Sequence, residues 1–388
     1  MKKNLLKSIA MLAMSTSMVV LGSCGSNTSV SSGNDSTSSS SETELYVGIM
    51  LYNYTDIQGK SIKSYCNYLS ENLPIKFEYQ SIGTSDDDAV SGCEALIAKG
   101  VDAIITGYDS AIQTVIQDCN DAGVYLNIGL YQAEESDYSG LDTTHFLYGN
   151  TQFDGDAQAI GVAYAQKAYE SGLKHIGAIT FPEFSFPEGV EIYDAFKTEM
   201  ATLDPECEVY DLQSFMFTQD AAEQEVVKLK ADHPDCDGVL GLGSGLDYIL
   251  PAMESNDLNA KLLSLGYNDT VSSEMEAGTV LASGTNNYAE AIAGSVARIF
   301  NAVDGKQYSD YPTDQSEMNL LNDYPTMFDT QDVSDFNYYC NPTDDWSHGP
   351  VTADELKDVI LRYNSDATWA SLKTLVSRTM SDIKTARD

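Results

Sequence analysis

The chain has 388 residues, and its 59 Asp and Glu against 21 Lys and Arg give a formal net charge of −38. So acidic a surface repels nucleic acid phosphates and anionic lipid headgroups, which argues against nucleic acid as a partner. The length leaves room for a two-lobed body with a sizeable core.

The first residues read as a targeting segment: a basic head, Met1 to Lys7, then a mainly apolar run from Ile9 to Leu21. Small residues follow in Leu21-Gly22-Ser23-Cys24. This resembles a bacterial lipoprotein signal, which implies removal of residues 1–23 and lipidation of Cys24. Residues 24–43 are Ser-rich, have almost nothing to bury, and read as a tether. The expected location is the extracellular face of the cell membrane, through a lipid anchor. Six cysteines remain: 66, 93, 119, 207, 236 and 340. Cys66, Cys93 and Cys119 fall inside helical patterns, so buried thiols are expected, with any pairing open. None forms a CxxC pair and the four histidines are scattered, so neither metal nor cofactor is expected. Asp-rich loops leave a hard cation such as calcium less firmly excluded.

Glu44-Leu-Tyr-Val-Gly-Ile-Met-Leu-Tyr52 is a buried-strand pattern, stopped by Asn53-Tyr-Thr-Asp56. Ile62, Tyr65, Cys66 and Leu69 then follow helical spacing. Strands are expected at 75–79, 101–106, 124–128 and 145–150, and helices at 85–99 and 111–122. A second round begins with a helix over 152–171. Strands are expected at 175–180, 208–212, 238–243, 261–265 and 280–284. Helices are expected from the loop after Phe181 to about 203, and at 221–231, 248–254 and 289–303. Residues 305–345 read as irregular or short extended pieces, and 356–363 and 370–383 as amphipathic helices. Repeated strand–helix units of this length predict α/β architecture: two tandem, doubly wound parallel-sheet lobes joined by a hinge. The expected division is 44–150 plus 286–315 for lobe 1, 151–285 plus 316–345 for lobe 2, and 346–388 as a C-terminal helical extension.

Over about 44–305 the chain resembles the type I solute-binding proteins of ABC importers, the ribose- and galactose-binding, LacI-like family. The resemblance rests on strand–helix order, on Gly100-Val-Asp-Ala-Ile-Ile-Thr-Gly-Tyr-Asp-Ser110, on Ala122-Gly-Val-Tyr-Leu126 and on Leu265-Gly-Tyr-Asn-Asp269. It implies a monomer whose lobes close over a small solute and present it to an ABC permease in the membrane. Carried over by position, the family's ligand-facing residues fall on Asn53, Asp56, Thr106, Phe217, Asn268 and Asn286. Its charged sugar clamps fall on Gly129 and near Ile192, and its third-strand Asn in lobe 2 falls near Gly243.

Ligands of open α/β sheets bind at the carboxyl ends of the strands. The candidate ligand-binding residues there are Asn53, Tyr54, Tyr108, Asp109 and Tyr131 from lobe 1. Phe184, Phe217, Asp247, Asn268 and Asn286 come from lobe 2 or the hinge. Rings supply stacking area, and amides and carboxylates accept or donate directed hydrogen bonds. Neither set holds Lys or Arg, so the expected solute is neutral or cationic: a sugar or oligosaccharide first, a nucleoside next. A sensory receptor with the same fold is the other reading. No Ser-His-Asp order, HExxH or P-loop lysine appears, so no enzyme is expected.

Overall fold

The structure is a computed structural model that describes residues 43–151, 156–183 and 185–388. The leader, Cys24, most of the Ser-rich tether and Phe184 lie outside the described residues. The strands are β1 (Leu45–Leu51), β2 (Ile75–Ser81), β3 (Ala103–Thr106), β4 (Tyr125–Ile128) and β5 (Phe146–Thr151). They are followed by β6 (His175–Thr180), β7 (Glu208–Val209), β8 (Gln213–Ser214) and β9 (Gly238–Gly241). The last four are β10 (Lys261–Leu265), β11 (Val280–Gly284), β12 (Leu320–Leu321) and β13 (Thr326–Met327).

Two sheets form. The first has the order β12-β5-β4-β3-β1-β2 and is parallel throughout. The second has the order β13-β11-β10-β9-β6-β7, with β8 also on β6 and only β13 antiparallel. The α/β class and the two parallel sheets follow the apolar runs of the sequence. The two lobes also repeat one packing detail. A Cβ on Gly48 of β1 would lie 2.6 Å from Leu96, and one on Gly177 of β6 would lie 2.4 Å from Leu229. In each lobe the glycine lets the second helix, Asp86–Ala98 or Gln219–Asp232, settle onto the first strand.

Several elements differ from the sequence reading. The strand expected at 208–212 shortens to β7, and pairing with β6 resumes at β8. Between them Tyr210 stacks on His233, with ring centroids 3.5 Å apart. Residues 330–340, expected to be irregular, are helical and bury Val333, Phe336, Tyr339 and Cys340 on lobe 2. Their helical spacing is masked in the sequence by the surrounding Asp, Asn and Tyr. The return stretch after 316 divides: β12 adds to β5 of the first sheet, and only β13 joins the second. Leu320 is fully buried in the lobe 1 core, which draws this piece away from the lobe 2 expected for 316–345. The helix expected at 370–383 breaks into Trp369–Leu375 and Met380–Arg387, because Thr379 starts a new helix by capping Asp382. The six cysteines carry no disulfide; Cys93 and Cys119 place their sulfurs 3.6 Å apart in the core, and Cys207 is half-buried.

The lobes join where β5 leads to the helix Asp156–Glu170, where β11 leads to the helix Tyr288–Val303, and where β12 leads to β13. Tyr288–Val303 is buried along most of its length. Its Arg298 donates to the carbonyls of Leu147, Gly149 and Met318 and to Asn150 Oδ1. Asn150 in turn donates to the carbonyls of Gly129 and Ala291.

The C-terminal residues build a further layer. Trp346, Val351, Leu356, Ile360, Trp369, Leu372 and Val376 enter the lobe 1 core, and Ile383 enters that of lobe 2. Glu355 ties this layer together: Arg378 Nη1 and Arg387 Nη1 both donate to its Oε1, each at 2.9 Å. Burial alone would raise this carboxyl, but the hydrogen bonds from Arg387 and Arg378 outweigh it and hold the carboxyl well below its ordinary value of 4.5. A carboxyl depressed by folding stabilises the protein above its unfolded value, and that contribution is lost as pH falls toward the folded one. Glu355→Gln should therefore lower unfolding free energy at pH 7 by about 2 kcal/mol, the scale of hydrogen bonds to charged groups. In urea melts the gap between the variant and the parent should narrow steadily below pH 4.5; a gap independent of pH would refute this role.

Candidate functional site

The loops after β1, β3 and β4 form one side of the candidate site. Tyr52 and Tyr108 stack with centroids 4.5 Å apart and planes 7° from parallel. Gln58, in the first turn of the helix Ile57–Asn72, donates to the Tyr108 hydroxyl at 2.7 Å. Burial, with the neighbouring Tyr288 adding to it, raises the Tyr108 phenol, which stays a neutral donor. Tyr131 is half-buried and its phenol is pushed up to about 12, by burial first and then by the charge of Glu188. Glu188 belongs to lobe 2, at the start of the helix Glu188–Leu203. Its carboxyl is raised, chiefly by burial, and it feels Glu134 of lobe 1.

On the other side, the loops after β6, β8, β9 and β10 carry a ring cluster. Phe181 lies 4.9 Å from Phe217, 5.0 Å from Phe215 and 6.1 Å from Tyr248. Phe217 remains 43% exposed, so it presents ring area to solvent. Asn268 Nδ2 donates to Asp247 Oδ1 at 3.0 Å. The Asp247 carboxyl is raised by burial, and the charge of Asp56 from lobe 1 contributes. Tyr288, at the start of the hinge helix, has its phenol pushed up to about 12 by burial; it bonds Thr285 and Gln58 and feels both Asp56 and Asp247. Ile57 of lobe 1 packs against the lobe 2 core. The two sets of loops therefore meet along Gln58, Asp56, Tyr288 and Asp247 at one place, and along Tyr131, Glu134 and Glu188 at another.

Two residues beside these loops hold left-handed backbone without being glycine: Ala111 after β3, with φ 50°, and Ser244 after β9, with φ 46°. They start the next helical segment of each lobe. Such strain persists only where the surroundings fix it.

Not every predicted residue is free to meet a solute. Asn53 Oδ1 accepts from the Thr55 and Asp56 amides and from Thr55 Oγ1, and its Nδ2 donates to Asp56 Oδ2. This side chain closes a turn that presents Asp56 as the cap of the helix Ile57–Asn72. Tyr54 turns away, donating to the Ile49 carbonyl at 2.7 Å and packing edge-on to Tyr79 at 5.3 Å. Asn268 Oδ1 likewise closes a turn through Thr270. Asp109 is exposed, and Asn286 is half-buried in the hinge link before Tyr288. The structure thus brings together Tyr108, Asp109 and Tyr131 on one side, and Asp247 with Asn268 on the other. Phe217 sits on the ring cluster beyond them. Gln58, Tyr288, Glu134 and Asp137 join the site without having been singled out in the sequence. Gln58 and Tyr288 share one signal that would have found them: each stands in the first helical turn after a cleft loop. Among the described residues no group of three or more His, Cys, Asp or Glu is arranged to hold a metal. An open groove of about 670 Å³ lined by Lys197, Tyr210, Gln213 and His233 lies at the β7–β8 edge of lobe 2, away from these loops.

Comparison with solved structures finds the same fold at low identity. A solute-binding protein of an ABC transporter from Actinobacillus succinogenes, with bound D-allose, aligns with a TM-score of 0.59 and 17% identity, over 75% of this chain and 99% of that one. A carbohydrate transporter protein from Acidothermus cellulolyticus, in complex with myo-inositol, aligns with a TM-score of 0.55 and 17% identity, over 78% and 100%. A solute-binding protein from Clostridium phytofermentans, with bound L-rhamnose, aligns with a TM-score of 0.52 and 15% identity, over 68% and 82%. The sequence finds no match among curated proteins. A family model described as the periplasmic binding protein domain matches residues 47–307. That span takes in both sheets' main strands and the hinge helix: the chain belongs to this family of solute-binding proteins, which are not enzymes, and has its type I fold.

Proposed function

We propose that this protein is a lipid-anchored, monomeric receptor that closes on a small neutral or cationic polyol, a sugar or oligosaccharide, and delivers it to an ABC importer. The observation that carries this reading is the parallel Tyr52–Tyr108 stack, whose hydroxyl side is held by Gln58 and which feels the carboxylates of Asp56, Asp86 and Asp109. A stacked phenol pair is a flat apolar surface of the kind that packs on the C–H face of a sugar ring. The charges that bear on the cleft phenols and carboxyls come from Asp56, Asp109, Glu134, Asp137, Glu188 and Asp247. A phosphorylated or carboxylated solute would be repelled there. The sugars and the inositol bound by proteins of the same fold are uncharged polyols, which supports the choice. Nucleosides are the second reading, favoured by the same stack, since a base has two flat faces. A sensory role would use the same cleft.

A thermal-shift screen is the direct test, because a ligand that binds only the folded state raises its melting temperature. D-allose, myo-inositol, L-rhamnose and a set of oligosaccharides and nucleosides should include at least one that does so, while sugar phosphates should not. Stabilisation by a sugar phosphate alone would overturn the reading. For whichever solute binds, Tyr108→Ala should weaken affinity by about 1–3 kcal/mol in titration calorimetry, the scale of one lost buried aromatic contact.

The anchor rests on Leu21-Gly22-Ser23-Cys24 behind a basic, then apolar, leader. Cys24→Ala should move the protein from the membrane fraction to the medium. Retention on the membrane by the variant would show that something other than Cys24 holds it.

A further inference from the structure

The family model ends at residue 307, yet the chain continues to 388. Nearly the full length of the Actinobacillus protein is covered by three quarters of this chain. The residues beyond the shared fold are not confined to one lobe. Residues 330–340 settle on lobe 2: Phe336 packs on Tyr267 at 4.9 Å, and the Tyr267 hydroxyl donates to Asn337. The chain then crosses to lobe 1. Ser61 donates to Asn341 Oδ1 at 2.6 Å, Ser64 to the Thr343 carbonyl at 3.0 Å, and Tyr65 to the Val351 carbonyl at 2.8 Å. Trp346 seats itself 4.8 Å from the Tyr65 ring. The helices Ala353–Val359 and Trp369–Leu375 are then absorbed into the lobe 1 core.

A second crossing returns at 376–380, alongside the hinge itself. Asn322, in the link between β12 and β13, donates to the Val376 carbonyl at 2.8 Å. The last helix, Met380–Arg387, then binds both lobes' layers at once. Toward lobe 2 it buries Ile383 completely, pairs Lys384 with Asp335 at 2.6 Å, and its C-terminal Asp388 accepts from the Tyr339 hydroxyl at 3.1 Å. Toward lobe 1 its Arg387 donates to the Gly349 carbonyl and to Glu355.

A two-lobed trap opens by rotating its lobes about the links between them. Three links already join the lobes, at β5, β11 and β12. Two more crossings, each anchored in packed cores at both ends, resist that rotation unless one anchor lets go. The anchors are unequal. The stretch from Trp346 to Val376 buries a series of large side chains in lobe 1, whereas the last helix fully buries only Ile383 in lobe 2, with Met380 partly buried beside it. We propose that residues 341–388 form a brace across the hinge that holds the solute-free lobes near closure, with the helix Met380–Arg387 as the latch that releases when they open. A closed state favoured before binding raises apparent affinity, because less of the solute's binding energy is used to close the lobes.

The inference rests on the lobes being a closing trap, and not on which solute they take. The test uses the full chain with Ile383→Ala and Lys384→Ala combined, and in parallel Lys384→Ala with Tyr339→Phe. Small-angle X-ray scattering of the solute-free proteins reads how far the lobes are apart. Loss of the buried Ile383 contact should shift the open-to-closed ratio about tenfold toward open, with a larger radius of gyration. The polar pair of substitutions should produce a smaller shift in the same direction. A cooperative melt of each variant establishes that it is folded, and the polar pair serves if the first variant is not. Superimposable scattering profiles for the parent and the folded variants would overturn the brace. The sugar screen run on the same samples separates the two readings. Variants that open while the parent binds no sugar would sink the sugar assignment and leave the brace standing; sugar binding with unchanged scattering does the reverse.

Discussion

The guanidinium of Arg298 is sealed inside lobe 1, where it meets main-chain carbonyls and makes no ion pair among the described residues. Burial lowers its proton affinity, to about 10, but a guanidinium at that value is still charged at neutral pH. A buried charge of this kind depends on its hydrogen bonds: Nη1 and Nη2 are satisfied while Nε has no partner among the described residues, so the groups around the two Nη atoms have little freedom. Those groups are the end of β5, the approach to β12 and Asn150, which itself holds the Gly129 and Ala291 carbonyls. Two of the three hinge links are thus fixed to the third, the hinge helix, at their lobe 1 ends. Whatever motion the lobes make is referred to this rigid base. The cleft loop after β4 starts from it, at Gly129.

Above that base, acidic groups of the two lobes face one another. Carboxylates from opposite lobes approach one another at Asp56 and Asp247, and again at Glu134 and Glu188. Like charges brought together on closure oppose it, and partial burial worsens the repulsion. Under the proposed function, a solute that brings hydroxyl or ammonium donors between them relieves both effects. Under the proposed brace, the contacts that favour closure come from elsewhere: Ile57 on the lobe 2 core and the C-terminal layer. Binding is then the difference between an apolar attraction at the edges and an acidic repulsion in the middle.

Fold was legible because buried parallel strands are written as short, unbroken apolar runs, and because glycines such as Gly123 end helices where the pattern stops. The site was legible only in part, for a physical reason. Short polar residues after a strand serve equally to bind a solute and to close the turn into the next helix, and one sequence does not distinguish the two. Asn53 and Asn268 went largely to turns, one after β1 and the other after β10. Tyr54 found a carbonyl behind it, while Tyr52, two residues earlier, stacked on Tyr108. Alternation along the chain put the two rings on the same side by sequence; only the neighbours at Ile49 and Tyr79 separated them. Residues 330–340 were hidden because their four apolar anchors stand among polar residues, and only lobe 2 beneath them makes the helical face evident.

The chain has two tryptophans, and both lie in the C-terminal layer. Trp346 sits against Tyr65, and Trp369 lies 5.0 Å from Tyr311, each nearly inaccessible to solvent. The aromatic rings at the cleft are those of tyrosine and phenylalanine. Indole emission from this protein therefore reports the packing beside the hinge and carries no direct signature of a solute between the lobes. A change in its wavelength on adding a solute would be light from the far side of the hinge, recording movement transmitted through the molecule instead of contact with the ligand.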